Sequence, residues 1–257
     1  MPGTGERPSQ LPGAGDRRDQ IGQNRDERQQ QFQQNKQQRQ EQRQTRGDDI
    51  RNEFQDNHPR WDFWKDNPNW ARFRYNRPYR WATWAALGGW VGYGGSDGGY
   101  GYDYSDDGVY VDGQEYPVDE QYTEQAATLA QAGTAPQPDN TEWMPLGVFA
   151  LVQEEKGQPT MYLQLAISKQ GIVSGTYFNS TTNQTLAVSG SLDRQTQRVA
   201  LSTEKKTPVL ETGIENLTQD QAPALLYFKD GQTQRWLLVR LPEPKEATQG
   251  QAAGQGG

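Results

Sequence analysis

The chain has no cysteine and a single histidine, His58. Without thiols there is no disulfide, no Cys-ligated zinc and no thiol catalysis. His58 precedes Pro59 in a polar stretch, and neither a Ser-His-Asp arrangement nor a histidine metal site can be built from one such residue. Branched aliphatics and Phe are also scarce, 40 of 257 residues or about 16%. That is below the roughly 20% at which disorder becomes the expectation. No apolar run approaches the roughly 20 residues of a spanning helix. The uncharged stretch 81–96 is 16 residues long and holds five glycines. There is no GxxxxGK[ST] loop, and the glycines of 92–101 lack the strand-to-helix frame of a dinucleotide site. Acidic pairs such as Glu154-Glu155 fall at expected turns, where they are solvated. The acidic loop 97–112 does not match the calcium-binding EF-hand pattern. No catalytic residue, metal or cofactor is therefore expected, and the chain does not read as an enzyme.

What apolar content exists is concentrated. Residues 141–243 hold 27 of the 40, about 26% of that stretch, and the remaining 154 residues hold 13, about 8%. Only the first density can offset the roughly 1–2 kcal/mol per residue of backbone entropy lost on folding. One domain is expected at 141–243. Charge is segregated as well. Residues 1–84 carry net +4, residues 85–140 carry ten acids and no Lys or Arg, and residues 141–257 carry −1. An acidic pI near 4.9 thus covers a basic arm and an acidic middle, an asymmetry that suggests self-association or separate partners.

Residues 1–16 are Pro/Gly-rich and do not read as a signal peptide. Residues 17–60 form a Gln/Arg-rich arm, with Gln at 10 of 16 positions between Gln29 and Gln44. This arm is expected to be helical or disordered. Only Ile50 and Phe54 stand at apolar i,i+4 spacing, and no heptad is sustained. Residues 61–100 are aromatic and Arg-rich, then Gly-rich. Residues 101–132 predict a small hairpin, signalled by Asp112-Gly113, and a short helix carrying Tyr122, Ala126 and Leu129. Residues 133–140 read as a linker and 244–257 as a disordered tail.

From Leu146 onward the pattern becomes strand-like. The runs 146–152, 160–168, 172–179, 185–192, 198–203, 209–211, 224–228 and 235–241 are separated by turn signals such as Lys156-Gly157 and Asp230-Gly231. Eight short strands at roughly ten-residue intervals predict a mainly β fold, an antiparallel meander closed as a barrel or stacked as a sandwich. One helical turn is expected near 217–222.

The best binding candidate is the segment in which Arg and aromatic residues interleave. Its members are Trp61, Trp64, Arg72, Phe73, Arg74, Tyr75, Arg77, Arg80, Trp81 and Trp84. Guanidinium groups pair with phosphate or sulfate, and rings stack on bases, sugars or lipid headgroups. The same residues would equally serve to neutralise the acidic middle. No RNP or KH motif accompanies them, so nucleic acid is disfavoured.

The strings WATWAALGGWVGY (81–93), EWMPLGVFA (142–150), QLAISK (164–169) with GTY (175–177), and QTQRWLLVR (232–240) resemble uncharacterised bacterial proteins labelled putative cell-surface or mu-protocadherin-like. The resemblance spans roughly residues 17–243. It implies envelope or surface association and no assigned activity; a cadherin calcium motif is absent. GTY (175–177) and QRWLL (234–238) also resemble strands of avidin- and lipocalin-type barrels, which implies an up-and-down barrel but no ligand. The expectation is a non-enzymatic envelope or surface interaction protein, with an envelope polymer or membrane surface as partner. The alternatives are a small-ligand-binding barrel with a tethering arm, and polyanion or nucleic-acid binding through the Arg/aromatic segment.

Overall fold

A computed structural model describes residues 14–57, 82–93, 98–105, 108–138, 140–153 and 158–242. Two compact units result, Met1–Gln42 and Arg43–Gly257. Helix α1 runs Ala14–Asn57, so the expected arm is helical through its described length. The expected N-terminal linker and disordered tail lie outside the described residues, apart from the linker residues after 13 that open α1.

Within the second unit the elements follow in order: α2 (Trp84–Val91), β1 (Tyr102–Tyr104), β2 (Val109–Val111), β3 (Gln114–Tyr116), α3 (Glu120–Ala132), β4 (Trp143–Gln153), β5 (Met161–Ser168), β6 (Ile172–Asn179), β7 (Gln184–Asp193), β8 (Arg198–Thr203), β9 (Val209–Gly213), β10 (Gln221–Tyr227) and β11 (Thr233–Arg240). Strands β4 to β11 form a closed barrel in which each strand pairs antiparallel with its sequence neighbour and β11 returns to β4. Of the two expected arrangements, barrel and sandwich, the barrel is the one present. The expected runs 172–179 and 198–203 coincide with β6 and β8. The helical turn expected near 217–222 is a 3-10 turn at Asn216–Thr218, and β10 begins at Gln221.

Alternation decides what fills the barrel. Leu163, Leu165 and Ile167 of β5 face Val173 of β6, while Val199 and Leu201 of β8, Leu210 of β9 and Leu238 of β11 complete the same buried cluster. An eight-stranded barrel is wide enough for its own side chains to fill or for one small ligand, and buried Leu, Val and Ile side chains project into this one. The β4 strand carries a bulge at Leu146, after which Gly147 takes φ 144. A Cβ there would also sit 3.3 Å from the Phe149 ring.

Helix α2 closes one end. Thr83 caps its start by accepting from the Ala86 amide, and Gly92 ends it with φ 85. Leu87 and Val91 join the barrel's own core, and the Trp90 indole N–H donates to the Ile167 carbonyl at 3.2 Å. A second layer covers the outer wall. On one side Ile50 and Phe54 of α1 pack on Val148, Ala150, Tyr162, Leu237 and Val239. Gly47 allows the close approach, since a Cβ there would lie 2.5 Å from Gln221. On another side β1, β2 and α3 lie over Ala200, Val209, Leu225 and Tyr227. The expected hairpin is one strand larger, a three-stranded sheet β1-β2-β3. Asp112 and Gly113, at φ 50 and 84, make the β2–β3 turn, as the Asp-Gly signal requires. Helix α3 is capped by Asp119, which accepts from the Tyr122 amide at 2.8 Å.

Three substitutions separate these packing effects. Leu87→Ala removes a fully buried side chain and is expected to cost about 2–5 kcal/mol in urea unfolding. Gly133→Ala places a Cβ 2.0 Å from the Gly190 carbonyl oxygen and is expected to destabilise by unseating the end of α3. Gly89→Ala meets nothing within 4 Å and is expected to stabilise by roughly 0.5–1 kcal/mol, the gain of Ala over Gly in a helix.

Candidate functional site

The candidate residues Trp61, Trp64, Arg72, Phe73, Arg74, Tyr75, Arg77, Arg80 and Trp81 lie outside the described residues. Trp84 is described. It opens α2, is partly buried against the barrel core, and stacks on Tyr93 with ring centroids 6.0 Å apart. Trp84 is therefore part of the barrel's closed end. The sequence pattern did not show this role, because the helix shows only once the barrel supplies the other half of its core.

Polar chemistry gathers at two places that composition did not reveal. The first is on the barrel's outer wall beneath α3. Glu211 of β9 is wholly buried and pairs with Arg198 of β8 at 2.5 Å. Its Oε2 also accepts from the Tyr227 hydroxyl at 2.7 Å, and its Oε1 accepts from Tyr122 at 2.7 Å, with the Tyr104 hydroxyl at 3.5 Å. The Arg198 guanidinium lies 3.5 Å from the Tyr122 ring centroid and donates to the Tyr122 carbonyl at 2.8 Å. Each carboxylate oxygen thus has two donors, so Glu211 has no accessible lone pair with which to accept a substrate proton. The arrangement fastens α3 and β1 to the wall; it is not a general base. Burial, and next the Glu211 charge, push the Tyr104, Tyr122 and Tyr227 phenols far above their usual pKa.

The second place is the closed end. Arg240 of β11 is buried, lies 5.6 Å from the Phe149 ring centroid, and donates to the carbonyls of Ala82 and Leu217. It thereby joins α2 to the 3-10 turn. Tyr93 donates to the Arg194 carbonyl at 3.1 Å, and Arg194 in turn donates to the Lys169 carbonyl at 2.5 Å. Burial pushes the Tyr93 phenol up to about 12. The Lys169 ammonium stands 4.7 Å from the Trp90 ring centroid and pairs with Glu142 at 2.5 Å. Beside it is a cleft of about 530 Å³ lined by Gln137, Pro138, Asn140, Thr141, Glu142, Lys169 and Gln170. None of these lining residues stood out in the sequence, because amides in turns are indistinguishable from ordinary solvated loop residues.

At the barrel's other end Met161, Tyr177, Phe228 and Trp236 pack on the core, and Trp236 donates to the Gln234 side chain at 3.2 Å. Among the described residues no group of three or more His, Cys, Asp or Glu could hold a metal ion. Nor is any described helix long and apolar enough to cross a membrane. Comparison with protein-family models, curated proteins and solved structures finds no match.

The Glu211 cluster makes two predictions. Glu211→Gln leaves a buried guanidinium without its counter-charge and should cost about 3–5 kcal/mol in urea unfolding. Because the three phenols are raised in the folded state from their usual value of about 10, the stability they confer is complete below pH 10 and is lost as pH rises above it. Phenolate absorbance should accordingly show Tyr104, Tyr122 and Tyr227 silent in the native protein at pH 11 and ionising only on unfolding. Their ionisation before the loss of native circular dichroism would sink this assignment.

Proposed function

We propose that the chain is a non-enzymatic interaction protein of the cell envelope or cell surface, in which the barrel is a rigid platform and recognition occurs on its exterior. One observation carries the reading. The barrel interior is occupied by its own Leu, Val, Ile and Phe side chains, and one end is closed by α2. A pocket for a small ligand typically needs about 300–1,000 Å³ of concave space, and buried side chains from all eight strands converge on the interior here. The alternative of a ligand-holding barrel is therefore less favoured than exterior contact. Glu211, the most enclosed carboxylate among the described residues, has its acceptor positions engaged, which supports a structural role over a catalytic one. The envelope assignment is supported by the resemblance of the strings at 81–93, 142–150 and 232–240 to bacterial surface proteins.

Fractionation of native cells with an antibody to the barrel is the test. The protein should partition with the envelope and remain there after a low-salt wash. Recovery in the cytosolic fraction would overturn the envelope assignment, and turnover of any substrate that survives loss of the exterior residues would overturn the non-enzymatic one.

A further inference from the structure

The cleft at the closed end has the chemistry of a saccharide site. Three primary amides, Gln137, Asn140 and Gln170, and the Thr141 hydroxyl line it. Each amide both donates and accepts, as paired sugar hydroxyls and acetamido groups require. Its only ionic pair among the described lining is Lys169 with Glu142, and these neutralise each other at 2.5 Å. A phosphate or sulfate ligand would meet Glu142 beside the one cation, so an anionic ligand is disfavoured. An apolar ligand would cover three amides and a hydroxyl without replacing their hydrogen bonds to water.

The indole of Trp90 is not among the cleft's lining residues but lies directly behind one of them, Lys169. Its ring underlies the Lys169 ammonium at 4.7 Å, and it is fixed by its own hydrogen bond to the Ile167 carbonyl. The Lys169–Glu142 pair is half exposed, with side chains 51% and 66% accessible. Pairs of this kind contribute little, so a ligand can displace the ammonium from the ring face at small cost. The C–H face of a pyranose then stacks on the indole while its hydroxyls reach the amides. The rim is held in place beforehand. Arg194 grips the Lys169 carbonyl, the Gly171 amide donates to the Ser168 carbonyl at 3.0 Å, and Gly133 seats the incoming loop against Gly190. Little ordering entropy remains to be lost on binding.

We propose that this cleft binds an uncharged oligosaccharide, with Trp90 as stacking platform and Asn140, Gln170 and Lys169 as hydrogen-bonding rim. The proposal is independent of where the protein resides, and its test is carried out in solution. The full chain, labelled with nitrogen-15, is titrated with a neutral N-acetylglucosamine oligomer, a neutral glucose oligomer and, as charged comparator, a galacturonic acid oligomer. Saturable shifts of the Trp90 indole and of the Asn140 and Gln170 side-chain amides with a neutral oligomer are expected. The double variant Asn140→Ala with Gln170→Ala should weaken binding at least about tenfold, with the circular dichroism spectrum unchanged. These positions are exposed and contribute nothing to the barrel core, so the variant folds. Absence of a saturable response to either neutral oligomer at millimolar concentration would overturn the proposal. So would preference for the charged comparator, or binding undiminished in the variant.

Discussion

The barrel wall is apolar on both of its faces along much of its circumference, and the elements outside the barrel exist to cover it. In β11, Trp236 and Leu238 face inward while Leu237 and Val239 face outward, and all four are buried. In β9 and β10 the inward Leu210 and Leu226 alternate with the outward Val209, Leu225 and Tyr227, again all buried. At roughly 25 cal/mol per Å² of apolar surface, such outward residues cannot remain solvated. Segments that the composition marks as too poor to fold by themselves, the end of α1 and the stretch holding β1–β3 and α3, obtain their structure from this wall. Each supplies few apolar groups: Ile50 and Phe54 in one case, Tyr102, Tyr104, Val109, Ala126 and Ala130 in the other.

This two-sidedness also explains which parts of the fold were legible. β7 alternates visibly, with Val188 and Leu192 inside against the exposed Ala187 and partly exposed Ser189 outside, because nothing apolar covers much of its outer face. β4 reads as a continuous apolar run, and that continuity is itself the signature of a strand covered twice. The Asp112-Gly113 turn and the Asp119 cap were local signals and appeared where expected. Helix α2 was not legible: a stretch containing Gly88 and Gly89 has poor helix propensity, and only the barrel's open end makes burying Leu87 and Val91 worthwhile. The closed-end cleft was equally hidden, since it forms where the stretch between α3 and β4 meets the β5–β6 turn, with Glu142 and Lys169 27 residues apart.

The segregation of charge has a structural counterpart. The acidic middle has no Lys or Arg of its own, so its buried Asp103 must find a cation elsewhere, and Arg43 of α1 supplies it at 2.6 Å. Arg51 reaches Asp220 of the barrel at 2.6 Å, but that pair is largely exposed and contributes little. Arg198 and Glu211 repeat the principle inside the barrel's outer layer. Buried pairs of this kind contribute little net stability against an apolar replacement, but they penalise misdocking heavily. An acidic sheet and a basic helix can be seated on a greasy wall in many ways; charge partners in fixed positions select one.

The two ends of the barrel differ. At the end near β4–β5 and β10–β11 the rings of Tyr177, Phe228 and Trp236 are spent on the core. At the α2 end a chain of hydrogen bonds runs from Tyr93 to Arg194 to Lys169, and Arg240 fastens Ala82 to Leu217. Loops fixed in this way hold polar groups in a constant relation to one another, which is what discrimination among ligands of similar polarity demands. The same helix that seals the barrel against a ligand inside thereby presents Trp90 beside an ordered polar rim outside, so the closure of the interior and the formation of an exterior site are one structural event.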